Sequence, residues 1–288
     1  MHRPSNAAGL PPRAAIVSAA ALGFAAACSA LAGPADSSVW FKADFSAAAH
    51  PLYGFTMPAG HNHLGRRWDL LARPGAGPGG GDAAEIALIG QPADITEGYY
   101  GWSKTGLPIR EQGQPVYVRL AIKLLPPLKL EGADGSGWGT KLIILGDDGR
   151  QGTRLIWNLR FDPDDRRDRA IFRVERNIDG PEGGGFDSEP LPVGQWVFAQ
   201  LAVQTSSSYP GSRDGRLALY LDGANRNPQK PTVQGGKVDL STATWDDVRL
   251  GYYGEYASPA GNVRFQIGGF EIGGSFDPTW GAGAAPSR

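Results

Sequence analysis

Tyr253 stands in the run Arg249-Leu250-Gly251-Tyr252-Tyr253, where an extended chain places Arg249 and Tyr253 on one face. A phenol beside a guanidinium is an acid/base whose proton the cation makes easier to remove. β-Elimination from a uronic-acid polymer needs such a group, together with a base at the C5 proton and a cation for the carboxylate. An ordinary strand tyrosine is the competing reading. His61 and His63 share a face if their segment is extended, offering a base or two metal ligands. No third ligand stands at a recognisable spacing, so no metal is assigned and a polar loop is the favoured reading of the pair. The run Asp162-Pro163-Asp164-Asp165-Arg166-Arg167-Asp168 has the carboxylates of a structural calcium site, but the arginines neutralise them as a solvated hairpin tip would. No other cofactor is implied.

Rows of arginine, lysine and tyrosine form the larger constellation. Val116, Val118, Leu120, Ile122 and Leu124 point one way in "VYVRLAIKL", and Tyr117, Arg119 and Lys123 point the other. In "RLIWNLRF", Leu155, Trp157, Leu159 and Phe161 oppose Arg154, Asn158 and Arg160. Arg173 continues the pattern, and Tyr99, Tyr100 and Trp102 form an aromatic cluster able to stack on sugar rings or to cap a core. Guanidinium forks bind carboxylate or sulfate in a bidentate manner, so the rows suit an anionic polysaccharide. A solvated sheet surface is the plainer explanation, and both are carried forward.

These side chains need strands to hold them. Period-two alternation predicts strands at 38–45, 67–71, 84–89, 116–125, 140–146, 153–161, 169–176, 195–204, 215–221, 247–253 and 263–272. Residues 98–104 read as an aromatic loop or edge. Asp-Gly pairs at 148–149, 214–215 and 222–223 supply turn chemistry, and helical or βαβ periodicity is absent.

The N-terminal segment reads differently. Arg3 and Arg13 precede the apolar run Ala14–Ala27, and Ala30-Leu31-Ala32 resembles a cleavage site. Residues 1–32 are therefore predicted to be a signal peptide, 33–276 one folded domain and 277–288 a Pro/Gly/Ala-rich disordered tail. The sole cysteine, Cys28, lies inside the leader; an alternative is a lipid anchor there on an outer-surface protein. No later stretch is apolar enough to span a bilayer. A net charge of −1 disfavours nucleic acid as a partner.

"GQWVFAQLAVQT", "GRLALYLDG", "VRLGYYGEY" and "VRFQIGGFEIG" together resemble the second half of a concanavalin A-like jelly roll. Secreted polysaccharide lyases and laminin-G-like domains are the most similar members. The resemblance covers roughly residues 116–273 and implies an all-β sandwich of two antiparallel sheets, one concave toward a polysaccharide. It also implies a core position for Trp196. Jelly-roll alginate-type lyases carry a K-A-G-x-Y-x-Q strand, onto which Arg249, Tyr253 and Glu255 fall at the lysine, tyrosine and glutamine. Their Gln-x-His strand has no counterpart: Lys141, Ile143 and Leu145 stand in its place. The glucanase E-x-D-x-x-E motif is missing, which argues against glycoside hydrolysis by that route.

Three functions stay open from sequence. One is polysaccharide binding through Tyr117, Arg119, Lys123, Arg154, Asn158, Arg160, Arg173 and Trp102. Another is uronate lyase chemistry with Tyr253, Arg249, His61 and His63. The third is a structural or adhesive role at the cell surface. Each implies a periplasmic or extracellular location.

Overall fold

The computed structural model describes residues 39–46, 68–88, 98–104, 107, 115–127, 140–145, 154–162, 166–177, 185–207, 214–222, 227–235, 248–254 and 264–282. The predicted leader with Cys28, the histidines at 50, 61 and 63, Asp164, Asp165 and Glu255 lie outside the described residues.

Two antiparallel sheets make up the fold. The first contains β1 (Val39–Lys42), β2 (Trp68–Arg73), β3 (Ala83–Leu88), β5 (Pro115–Leu125), β10 (Trp196–Gln204), β11 (Arg216–Leu221), β12 (Val233–Gln234) and β14 (Arg264–Gly273). Its order is β12-β11-β10-β5-β14-β3-β2, with β1 also on β14. The second contains β4 (Gly98–Lys104), β6 (Thr140–Leu145), β7 (Arg154–Asp162), β8 (Arg166–Asn177), β9 (Phe186–Asp187) and β13 (Val248–Gly254). Its order is β4-β13-β6-β7-β8-β9. Neighbours far apart in sequence, such as β5 and β14, pair at the centre, as in a jelly roll.

Alternation explains the packing. Val116, Val118, Leu120, Ile122 and Leu124 of β5 enter one core with Leu155, Trp157 and Leu159 of β7. Trp157 meets Phe172 edge-on at 5.1 Å between ring centroids. Trp196 departs from the expected core position: it is half-buried on the outward side, and Val197 takes the core place. The turn after β11 uses Asp222 at φ 44°, whose carboxylate accepts a hydrogen bond from the Phe198 N–H at 3.0 Å.

The outward face of the eight-stranded sheet is not a solvated surface. Residues 274–282, partly within the predicted tail, cross it. Phe276 packs edge-on against Tyr117 and Tyr220, at 6.1 and 4.9 Å. Beside them runs the register row Lys42–Glu271–Arg119–Gln200–Tyr220. Arg119, 2% exposed, donates from Nε to Gln200 Oε1 at 2.9 Å, from Nη1 to Glu271 at 3.4 Å, and from Nη2 to the Ser275 carbonyl. Gln200 closes the strap by accepting from the Asp277 N–H at 3.0 Å and donating to the Asp277 carbonyl at 3.3 Å. A second cluster lies farther along the same face. Glu85 accepts from Arg73 at 2.7 Å, Arg264 at 2.6 Å and Gln266 at 3.2 Å. Burial disfavours its charge, yet these donors outweigh burial and hold its pKa at about 2.

Two stability effects are expected. Arg119→Ala leaves Glu271 with Lys42 alone and strips the strap of its anchor, costing about 3–5 kcal/mol in urea unfolding. A cost below about 1 kcal/mol would contradict the strap's role. Glu85 stays ionised in the fold where the unfolded chain takes up a proton, so its contribution is present above pH 4.5 and lost as pH falls toward about 2. Glu85→Gln should remove about 2–3 kcal/mol at neutral pH and flatten the acid limb of the stability curve. An unchanged acid limb would refute the assignment.

Candidate functional site

The expectation that the cationic and phenolic rows converge in one trough needs correction. Tyr117, Arg119 and Lys123 belong to β5 in the eight-stranded sheet, whereas Arg154, Asn158, Arg160, Arg173, Arg249 and Tyr253 belong to the six-stranded sheet. Tyr117 and Arg119 are buried under the C-terminal strap and serve the fold. Lys123 is half-buried in register with Gln266 and Trp196 on the same strap-bearing sheet. Alternation separates core from surface correctly but says nothing about which sheet a strand joins, nor what covers its outer side.

On the six-stranded sheet the residues do line up. Register pairs run Tyr99–Tyr253, Tyr253–Lys141, Lys141–Asn158, Asn158–Arg173 and Arg173–Asp187, a line that touches every strand. The neighbouring line is Ser103–Arg249–Ile144–Ile156–Glu175. Arg249 and Tyr253 thus occupy one face, four positions apart on β13. Arg160 pairs with Ile171 and Arg154 with Asn177 farther along β7 and β8.

Lys141 reaches this line through irregular register. Between Lys141 and Ile143, β6 advances two residues against one of β7, and β13 advances three between Leu250 and Tyr253. Leu142 and Ile143 both enter the core. A bulge of this kind re-aims a strand, so strict alternation, which groups Lys141 with Ile143 and Leu145, fails here. Trp102, which the sequence left open between sugar stacking and core capping, falls on the other register line. It is in register with Leu250, and Leu250 pairs with Ile143 and so with Trp157, the core-facing line. On β4 the backbone position in register with Tyr253 is Tyr99.

Where side chains are described, the line carries a connected polar network. Asn158, 5% exposed, donates from Nδ2 to Glu175 at 2.9 Å. Glu175 receives Arg173 Nε at 2.8 Å, and Arg173 Nη1 reaches both oxygens of Asp187 at 3.2 and 3.3 Å. Burial works against the Arg173 charge, but the Glu175 hydrogen bond and the Asp187 attraction more than offset it and raise its pKa. Its Nη2 carries no hydrogen bond among the described residues. The result is a cation with an oriented plane and one donor to spare, next to the Asn158 amide. Such a group can receive a carboxylate or sulfate oxygen. Among the described residues no cluster of three metal-ligating side chains occurs, and the side chains of the 162–168 run lie outside the described residues.

No protein-family model matches this chain, and no curated protein sequence does. Solved structures do. An endo-β-1,4-glucuronan lyase from the fungus Trichoderma reesei superposes with a TM-score of 0.60 at 9% identity, over 85% of this chain and 99% of that one. An alginate lyase from Aplysia kurodai gives 0.46 at 11% identity, over 82% and 99%. The cellulose-induced protein Cip1 gives 0.44 at 13%, over 76% and 92%. The fold is a two-sheet jelly roll shared with that glucuronan lyase, as the sequence resemblance implied.

Arg173, Glu175 and Asp187 are partly exposed, so Glu175→Ala should cost under about 1 kcal/mol in thermal unfolding. A loss above about 3 kcal/mol would make this network a structural pillar like that of Arg119.

Proposed function

We propose that the protein recognises an acidic polysaccharide laid across the outward face of the six-stranded sheet. The carrying observation is the unbroken register line Tyr99–Tyr253–Lys141–Asn158–Arg173–Asp187, with Arg249 on the adjoining line. A row crossing all strands runs perpendicular to them, the direction in which a chain-like ligand meets a new strand about every 4.8 Å. Lys141, Arg173 and Arg249 supply positive charge along it, and the tyrosines supply ring faces. The glucuronan lyase that shares the fold handles a polymer of this charge class, which supports the reading. The apolar leader supports secretion, with a Cys28 lipid anchor as the other outcome of the same segment. No helix among the described residues is long and apolar enough to cross a membrane.

A second reading is cleavage by β-elimination, favoured by the place of Tyr253 between Lys141 and Tyr99. In that reaction the C5 proton leaves to a base, the C4–O4 bond breaks to form the 4,5-double bond, and the departing oxygen takes a proton. Tyr253 would deliver or accept the proton, and Lys141 or Arg249 would neutralise the uronate carboxylate.

Incubation with alginate, glucuronan and heparin, followed by ultraviolet absorbance of unsaturated product, distinguishes the readings. Retardation in polysaccharide-containing gels with no absorbance rise selects binding. If absorbance rises, Tyr253→Phe should abolish it with the fold intact. Lys141→Ala is expected to weaken binding about tenfold, an effect shrinking as salt screens the charges. Absence of any binding or turnover with acidic polymers would refute the proposal.

A further inference from the structure

The opposite sheet carries a separate cleft that the acidic-polymer reading does not use. It holds about 870 Å³, within the range of small-ligand sites. Its floor is Ala121, Gly268 and Gly269, where β14 shifts register between Ile267 and Gly269. One wall is the 78–82 turn and the other is the end of the C-terminal strap at Trp280, Gly281 and Ala282. Asp44 and Ser46, just after β1, complete the rim.

Glycine builds these walls. A Cβ on Gly268 would collide with Pro78, and one on Gly269 would come within 3.0 Å of the Trp280 ring. Gly281, at φ 76°, lets the strap turn against Phe198, where a Cβ would lie 2.6 Å from the ring. Phe198 and Trp280 then stand edge to face at 6.2 Å. Pro78 and Trp280 thus pack directly over the two glycines, and the cleft presents the Pro78 ring beside two aromatic rings.

Its charged groups are mainly carboxylates, and the buried Trp280 Nε1 adds an N–H donor without a partner among the described residues. Asp44, Asp82 and Glu271 line it, and Lys42, the one cation among the described lining residues, is held by Glu271 at 2.9 Å. Asp44 Oδ1 takes the Ser46 N–H at 2.9 Å and Asp82 Oδ1 the Gly75 N–H at 3.0 Å. The Ser46 hydroxyl is a second donor to Asp44, whereas the Asp82 Oδ2 carries no donor among the described residues. Such a site repels uronates and sulfates, and the carboxylates are not grouped to hold a metal ion. It suits a ligand with apolar C–H faces, many hydroxyl donors and no charge.

We infer that this cleft is a second carbohydrate site, specific for an uncharged polysaccharide, on the face away from the acidic-polymer row. Ring C–H faces lie against Pro78, Trp280 and Phe198, while hydroxyls donate to Asp44 and Asp82. The protein then grips two chemically different polymers at once, a neutral one by this cleft and an acidic one by the opposite sheet.

Native gels containing glucomannan, xyloglucan or hydroxyethylcellulose test this, with alginate and glucuronan gels in parallel. At least one neutral polymer should retard the wild-type chain. Ala282→Arg, at an exposed rim position, should fill the cleft and weaken that retardation about tenfold or more, and Trp280→Ala should weaken it likewise. Melting curves verify that Ala282→Arg is folded even if Trp280→Ala is not. Retardation in acidic gels should not change, which keeps this result separate from the fate of the acidic-polymer reading. The inference is overturned if no neutral polymer retards the wild type. It is also overturned if folded Ala282→Arg is retarded as strongly as wild type, or if Ala282→Arg loses acidic rather than neutral binding.

Discussion

Each sheet must bury one face against the other, and nearly every feature of this molecule follows from that requirement. With one cysteine in the sequence, no internal disulfide can share the load. The core must therefore be large and continuous. It draws on strands from both sheets, with Trp157, Phe172, Phe265 and Phe270 among its largest fully buried side chains. Burying apolar area of this kind contributes about 25 cal/mol per Å², which leaves polar chemistry to the two outward faces.

Those faces are used in opposite ways. On the eight-stranded sheet, Arg119, Glu271 and Gln200 are roofed by the C-terminal strap, so their hydrogen bonds fasten chain to sheet. A buried ion pair offers little net stability over an apolar pair, but it fixes geometry and punishes loss of either partner. On the six-stranded sheet, Arg173 is braced by Glu175 and Asp187 while keeping about a third of its side chain exposed. The same residue type thus anchors a fold in one place and presents an oriented cation in the other. Solvent access decides which.

Irregular register supplies the function-bearing geometry. The shift near Lys141 sends Leu142 and Ile143 inward together and brings the lysine level with Tyr253 and Asn158. The shift at Gly269 lies on the floor of the cleft beneath Trp280. In both cases a departure from the regular ladder places a special residue where an unbroken strand could not.

Much was legible in the chain itself. Period-two alternation located β5, β7, β10 and β14 to within a residue or so, and assigned Val116 to Leu124 and Leu155 to Leu159 to their proper sides, because each strand sees core and solvent in turn. It also marked Asn158, Arg173, Arg249 and Tyr253 as outward residues of strands that prove to share one sheet. What alternation cannot carry is anything between strands. Which sheet a strand joins depends on pairings across a hundred residues or more, as between β5 and β14. That is why Arg119 and Arg160 looked alike in sequence and stand on opposite sheets. Lys141 was misgrouped for a related reason: a bulge is set by the partner strand, not by the local pattern. The sequence determined the two-faced strands; tertiary pairing and the strap over one face decided which outward residues were free to meet a ligand.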